Sequence, residues 1–194
     1  MEIRFATSAD AAPLLAIYAQ YINTPVTFEC SLPSVREFGV RISAISASYP
    51  YLLIISGGEI AGYAYAHRHM ERAAYRWNVE LSIYLSAPHV ARGLGGRLYG
   101  ALFEILKLQN VKAAYAGITI PNPASERLHA AMGFEKAGVF RNAGYKNGRW
   151  HDVAWFQKDI SEHLPNPAPF IPLGDLPEGA LREITASCGS LRDA

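Results

Sequence analysis

Apolar and polar positions along this chain change their period several times, and each change marks an element. Residues 2–6 alternate and predict a short first strand. Thr7-Ser8-Ala9-Asp10 has capping-box spacing, after which Leu14, Ile17, Tyr18 and Tyr21 recur at helical intervals. Residues 23–33 carry two prolines and predict an irregular loop. Ser34-Val35-Arg36-Glu37 repeats the capping pattern ahead of Phe38, Ile42 and Ile45 on one helical face. Residues 51–55 and 60–69 predict two strands joined by the turn Ser56-Gly57-Gly58-Glu59. Residues 77–85 predict another strand, with Glu80, Ser82 and Tyr84 on one face and Val79, Leu81, Ile83 and Leu85 on the other. Pro88 bars its continuation. A helix then starts near Leu94, with Leu98, Leu102 and Ile105 along it, and residues 112–120 predict a strand. Asn122 is placed to cap a further helix, Pro123 to open it and Gly133 to stop it. Residues 134–145, the turn Asn147-Gly148 and residues 150–157 complete a final hairpin.

Short hairpin links exclude an all-parallel sheet. The expected class is α/β in the broad sense (α+β), a mixed, mostly antiparallel central sheet with helices on both faces. Prolines at 165, 167, 169, 172 and 177 change the character of the chain after the last strand. Residues 1–160 are therefore expected to form the domain, and residues 161–194 a proline-rich C-terminal extension, with a short helix over 178–187 packed back on the body. With 194 residues, half of them hydrophobic and 18% charged, the chain is long enough for one well-buried core. A formal net charge of +1 leaves no global field to recruit nucleic acid or an anionic membrane, so any phosphate must be held by local geometry. Cys30 and Cys188 lack metal-type spacing and form no disulfide framework, which predicts no metal site and a reducing cytoplasm. No apolar leader follows Met1 and no window reaches membrane-span length, so a soluble cytoplasmic protein is expected.

The chemistry concentrates at Val90, Ala91, Arg92, Gly93, Leu94, Gly95 and Gly96, between a strand and a helix. A glycine-rich turn feeding a helix offers unpaired N–H groups and the positive end of the helix dipole, which together suit phosphate. A dinucleotide fingerprint would need glycine where Leu98 stands, and no Gly-Lys-Ser/Thr follows as in a P-loop. A tight turn flanked by solvated arginines is the alternative for the loop taken alone.

Downstream, Pro121-Asn122-Pro123-Ala124-Ser125-Glu126-Arg127-Leu128-His129-Ala130-Ala131-Met132-Gly133-Phe134 accompanies Arg92-Gly93-Leu94-Gly95. With both, the chain resembles the GNAT superfamily of acetyl-CoA-dependent N-acetyltransferases. Four segments narrow the likeness to the phosphinothricin and methionine sulfoximine acetyltransferase branch, over residues 2–158. They are Thr27-Phe28-Glu29, Gly62-Tyr63-Ala64-Tyr65-Ala66, the run from Arg72 through Tyr75 and Trp77 to Glu80, and the run from Gly144 to Val153. The resemblance implies that the loop from Val90 to Gly96 holds the pyrophosphate of coenzyme A. It places Ile83, Tyr84 and Leu85 beside the pantetheine arm, where a main-chain N–H polarises the thioester carbonyl. It also sets Asn122 and Ser125 against the coenzyme. Val90 departs from the Gln or Arg usual there, leaving the pyrophosphate to backbone amides.

Glu80 stands in an otherwise apolar and hydroxyl-bearing strand. As a general base it would take a proton from the acceptor ammonium; otherwise it is an edge carboxylate in a structural network. Ser125 and His129 share a helical face. The resemblance offers His129 as the acid for the leaving thiolate or a second proton carrier, and a partly buried, backbone-bonded histidine is the other account. Phe28, Arg72 and Tyr75 match the branch's acceptor positions, Arg72 as a fork-shaped donor to an acidic group. The activity expected is acetylation of a small amino-acid-like acceptor such as phosphinothricin, methionine sulfoximine or methionine sulfone, by a homodimer. Another amine (a protein N-terminus, lysine, polyamine or aminoglycoside) and a non-catalytic acyl-CoA-binding module remain the alternatives.

Overall fold

The computed structural model describes residues 1–190. Its strands are β1 (Glu2–Phe5), β2 (Tyr51–Ser56), β3 (Glu59–Arg68), β4 (Asn78–Leu85), β5 (Ala113–Ile120), β6 (Glu135–Lys146) and β7 (Arg149–Asp159). Its α-helices are α1 (Ala11–Ala19), α2 (Val35–Ser46), α3 (Leu94–Leu108), α4 (Pro123–Ala131) and α5 (Glu178–Ser190). The strands form one sheet in the order β1-β2-β3-β4-β5-β7-β6. Neighbours run antiparallel except for β4 and β5, which are parallel and joined through α3. The mixed, mostly antiparallel sheet with helices on both faces is the architecture expected from the sequence.

Local chemistry accounts for the punctuation. Gly57 and Gly58 both take positive φ (63° and 86°), as do Asn147 and Gly148 (53° and 77°). Two consecutive left-handed residues are what a tight hairpin needs to match strand twist. The Ser34 hydroxyl accepts from the Glu37 N–H at 3.2 Å, while the Glu37 carboxylate accepts from the Ser34 N–H at 2.7 Å. The Thr7–Asp10 box caps a short helical turn (Ser8–Asp10) that leads into α1. That turn is tied to β1, because Asp10 takes two hydrogen bonds from Arg4 (2.7 and 2.9 Å). The helical pattern reached Tyr21, but α1 ends at Ala19 and Tyr21 lies in the turn beyond it.

Apolar residues cover the sheet on both sides. Leu14, Tyr18, Phe38 and Ile42 of α1 and α2 pack on Tyr51, Leu53 and Tyr63. On the other face Leu98, Leu102, Ile105 and Leu106 of α3 pack on Leu52, Ile54, Ala64 and Val79. Strand β2 is buried on both faces, which explains its unbroken apolar run.

The proline-rich stretch is extended, as its composition predicts, and is fastened along its length. Its carbonyls accept from side chains of the body: Ala168 from Trp77 Nε1 (2.8 Å), Pro169 from Asn110 Nδ2 (2.8 Å) and Ile171 from Gln109 Nε2 (2.9 Å). Phe170, Leu173, Leu176 and Ile184 then pack against the α3-side core, which includes Leu181. Helix α5 lies against α3 and β1.

Candidate active site

The sheet is open at one place. Strands β4 and β5 pair only at Asn78/Ala113, Val79/Ala114 and Glu80/Tyr115, although both continue for several residues beyond. Past Glu80, β4 has β3 on one side and, among the described residues, no strand on the other. A narrow, open cleft of about 60 Å³ lies in the gap. Its walls are residues 81–84 of β4, residues 116–119 of β5, Tyr99 of α3, Ser125 and His129 of α4 with its cap Asn122, and Val26 from the loop after α1. The structure therefore brings Ile83, Tyr84, Asn122, Ser125 and His129 around one opening. Leu85 ends β4, its carbonyl accepting from the Tyr21 hydroxyl at 2.5 Å.

The glycine-rich loop enters α3 at the mouth of this region. Ala91 and Gly93 both have positive φ (61° and 75°), with Arg92 between them. Val90, Ala91, Arg92 and Gly93 are exposed, whereas Leu94 and Gly95 are buried as α3 begins. A methyl on Gly95 would lie 3.0 Å from Leu128 Cδ2 and 3.4 Å from Ile83 Cδ1, so any larger residue would require the Leu128 side chain to give way where α3 starts against α4 and β4. The Arg97 N–H already bonds the Gly93 carbonyl. By helix geometry the N–H groups of Leu94, Gly95 and Gly96 have no carbonyl in the preceding turn. Backbone with alternating left-handed residues leading into a helix N-terminus suits the oxygens of a pyrophosphate.

Asn122 caps α4, its Oδ1 accepting from the Ser125 N–H at 3.2 Å, and Glu126 reaches back to the Asn122 N–H at 3.0 Å. His129 is 2% exposed. Its Nδ1 lies 2.8 Å from the Ser125 carbonyl and its Nε2 3.0 Å from the Tyr99 hydroxyl. Burial pushes the imidazole below its ordinary 6.5 and the Tyr99 phenol up. A neutral ring donating from Nδ1 to Ser125 and accepting at Nε2 from Tyr99 satisfies every group. Both nitrogens are then engaged within the fold, which favours the hydrogen-bonded account of His129 over the proton carrier.

Glu80 lies at the apex of the opening, its side chain about a quarter exposed. On β3, His67 pairs opposite it and Tyr65 opposite Ser82, the two hydroxyls of the latter pair in contact. Burial raises the Tyr65 phenol, and the Glu80 charge adds to the rise. His69 Nδ1 approaches Glu80 Oε2 to 3.7 Å. Sequence reasoning missed His69, which is brought to Glu80 by the β3–β4 register. It also missed Tyr99, whose place on the buried face of α3 beside Leu98 was the available signal.

Arg72 and Tyr75 sit together on the connection between β3 and β4, where the Tyr75 N–H bonds the Arg72 carbonyl at 3.0 Å. Both are exposed. Phe28 stands on the separate loop between α1 and α2, its ring against Gly144 and 6.2 Å from that of His151. Lys146, 6% exposed, secures that loop by donating to the Thr27 and Glu29 carbonyls at 2.6 and 2.8 Å.

Residues 3–155 match the model of the acetyltransferase (GNAT) domain family. The chain is 39% identical over 174 residues to phosphinothricin N-acetyltransferase of Streptomyces viridochromogenes, covering 89% of this chain and 94% of that protein. It is 31% identical to L-methionine sulfoximine/L-methionine sulfone acetyltransferase of Salmonella typhimurium, over 84% and 96% of the two chains. A crystal structure of a phosphinothricin acetyltransferase from Sinorhizobium meliloti in complex with AcCoA superposes with a TM-score of 0.82 at 35% identity, over 87% and 94% of the chains.

Proposed function

The chain belongs to the GNAT acetyltransferase family, and from that premise we propose that it moves the acetyl group of acetyl-CoA onto the amino group of a small amino-acid-like acceptor, with Glu80 as general base. It is an N-acetyltransferase by family, and acetyl-CoA is its acyl donor. Relatives named for phosphinothricin and for methionine sulfoximine or sulfone support those compounds as acceptors.

The observation that carries the reading is the parting of β4 from β5 immediately after Glu80. A thioester supplies an acyl carbon already activated toward amines, so most of the rate comes from alignment. The residues fit such a donor. The amides of Val90, Ala91, Arg92, Gly93, Leu94, Gly95 and Gly96 are the proposed pyrophosphate cradle. The side of β4 that faces away from β3 over Ile83, Tyr84 and Leu85 would receive the pantetheine arm as it would a strand. Asn122 and Ser125 close the opposite wall. Arg72 would pair with the acceptor carboxylate, with Phe28 and Tyr75 enclosing its side chain. His129 holds Tyr99 and Ser125 in place rather than touching the reacting atoms.

An acceptor amine arrives as ammonium and attacks only after losing a proton. Glu80, beside the opening and partly shielded from water, is the nearby carboxylate that suits this task. The same reading takes residues 1–160 as the catalytic unit with 161–194 as its extension, in the cytoplasm. Among the described residues no helix is long and apolar enough to cross a membrane. A homodimer belongs to it as well, supported by Phe140, Tyr145 and Trp150, about 60% exposed on the β6–β7 hairpin.

Glu80→Gln keeps the shape and removes the base. Assayed by thiol release with methionine sulfone or phosphinothricin, it is expected to bind acetyl-CoA normally and to lose about 10²–10⁴ in turnover. A variant turning over like the parent across the pH range removes Glu80 from the role.

A further inference from the structure

One group beside Glu80 takes no part in the reaction proposed above. His69 directly follows β3, its side chain about 10% exposed. Its ring stacks on Tyr115 of β5 (centroids 4.4 Å apart, planes within 9°) and meets the edge of Trp155 of β7 at 5.5 Å. These contacts hold the ring with Nδ1 toward Glu80. That nitrogen is buried, has no hydrogen-bond partner among the described residues, and lies 3.7 Å from Glu80 Oε2.

An unpaired buried nitrogen costs stability, and such exceptions call for a physical reason. At 3.7 Å there is no hydrogen bond. A proton on Nδ1 would draw the two groups together into a charge-assisted pair. The ring's other neighbours do not supply such a pairing: Tyr115 presents its face and Trp155 is uncharged. Around Glu80, His67 and Tyr65 approach from β3, with His67 Nδ1 engaged by the Arg68 carbonyl at 2.9 Å. The one nearby arginine of that strand end, Arg68, pairs with Glu71.

We propose that His69 is the proton-holding partner of Glu80, a positioning residue that acts through that carboxylate. The proposal rests on Glu80 being the base. An N–H bond of the acceptor ammonium breaks and its electron pair stays on nitrogen, while the proton forms an O–H bond on Glu80. That bond breaks in turn as the proton moves to His69 Nδ1. The pair ends as carboxylate and imidazolium, an ion pair in place of a protonated acid, and the neutral amine is left to attack. The proton then passes to solvent, the one net proton released when an ammonium and a thioester become an amide and a thiol.

The test uses the full chain with acetyl-CoA and methionine sulfone, comparing His69→Ala, His69→Phe, Glu80→Gln and the double variant H69A/E80Q. His69→Ala is expected to lower kcat about tenfold to a hundredfold with the KM for acetyl-CoA within about twofold. The double variant should lose no more than Glu80→Gln alone, since the two residues act as a unit. Added imidazole should restore part of the loss in His69→Ala, whereas pyrrole, similar in size but not basic, should not. His69→Phe keeps a ring against Tyr115 and guards against misfolding; it should be as slow as His69→Ala and unaffected by imidazole. Multiplying losses in the double variant, equal rescue by pyrrole, or parental kcat in His69→Phe would each overturn the pairing. If Glu80→Gln itself kept its activity, the base assignment would fall, and this inference with it.

Discussion

Gly62 is where the geometry of the opening can be disturbed most directly. It pairs with Leu85 at the end of β4, and a methyl group there would stand 2.4 Å from Leu85 Cδ2, 2.8 Å from the Tyr84 carbonyl oxygen and 3.1 Å from Leu85 Cα. The leucine tip can rotate away, but the carbonyl and Cα are backbone and must move with the strand. On its other side this end of β4 has no strand to resist it; what holds it is the Tyr21 hydroxyl on the Leu85 carbonyl. Gly62→Ala is therefore expected to push residues 84–85 toward the cleft. Overpacking of this kind costs about 1–3 kcal/mol. For a chain of this size each kcal/mol lowers Tm by roughly 2–4 °C, so a fall of about 2–12 °C is expected. Thermal melting followed by circular dichroism measures it. Because the displaced backbone is the proposed pantetheine edge, the KM for acetyl-CoA should rise more than kcat falls. Gly100→Ala is the control: a methyl there meets nothing within 4 Å on an α3 position, so it should be neutral or stabilising by up to about 1 kcal/mol. Unchanged Tm and unchanged KM in Gly62→Ala would refute the tight approach of β3 to the end of β4.

Two further outcomes follow from single contacts. Burial holds His129 below its ordinary 6.5, so the folded chain resists a proton that the unfolded chain accepts; stability is complete above that pH and falls as pH drops. Between pH 7 and 5.5 the parent should lose up to about 1 kcal/mol that His129→Gln does not lose, read from urea midpoints; equal losses would contradict it. Trp77→Phe deletes the indole donor to the Ala168 carbonyl, so about 1 kcal/mol of stability should go. The acceptor KM should rise more than that for acetyl-CoA, since Trp77 closes the turn bearing Arg72 and Tyr75, and equal rises would argue against a brace.

How far the sequence discloses this site depends on whether a feature is local. The hairpins at Gly57-Gly58 and Asn147-Gly148 are legible because their left-handed backbone demands those residue types. The caps of α2 and α4 are legible because Ser34 with Glu37 and Asn122 with Glu126 act over one turn. The parting of β4 and β5 is not legible. Leu81 and Ile83 would look the same in a fully paired strand, and the point of divergence is set by where α3 and α4 pack. His69 is not legible either, because an isolated histidine after a strand carries no pattern; only the register of β3 on β4 brings it to Glu80. The fastening of residues 168–171 was hidden for a related reason, since main-chain carbonyls do the accepting, and these are present at every position.

The single parallel pair in this sheet explains why the binding elements converge. A parallel connection needs a crossover, here α3, and the crossover puts a helix N-terminus beside the C-terminal end of β4. The same stretch of chain thus supplies unpaired strand backbone, then a left-handed turn, then helix amides, within residues 81–97. A long ligand with an extended arm and a pyrophosphate can meet all three in order. On the proposed function, acceptor choice would fall to different chain segments: residues 23–33, held by Lys146, and the turn from Arg72 to Trp77, held by the C-terminal stretch. Lys146 donates to main-chain carbonyls of the first loop, which can change sequence without losing that anchor, whereas the second turn keeps its anchor only while Trp77 donates its indole N–H to the Ala168 carbonyl. Donor binding would then be built into the sheet, and acceptor specificity would rest on two tethered loops. On that division, exchanging residues 72–75 between relatives should alter acceptor preference while leaving the affinity for acetyl-CoA in place, measured as competing kcat/KM values. A matching loss of acetyl-CoA affinity would show that the two halves of the site are not separable.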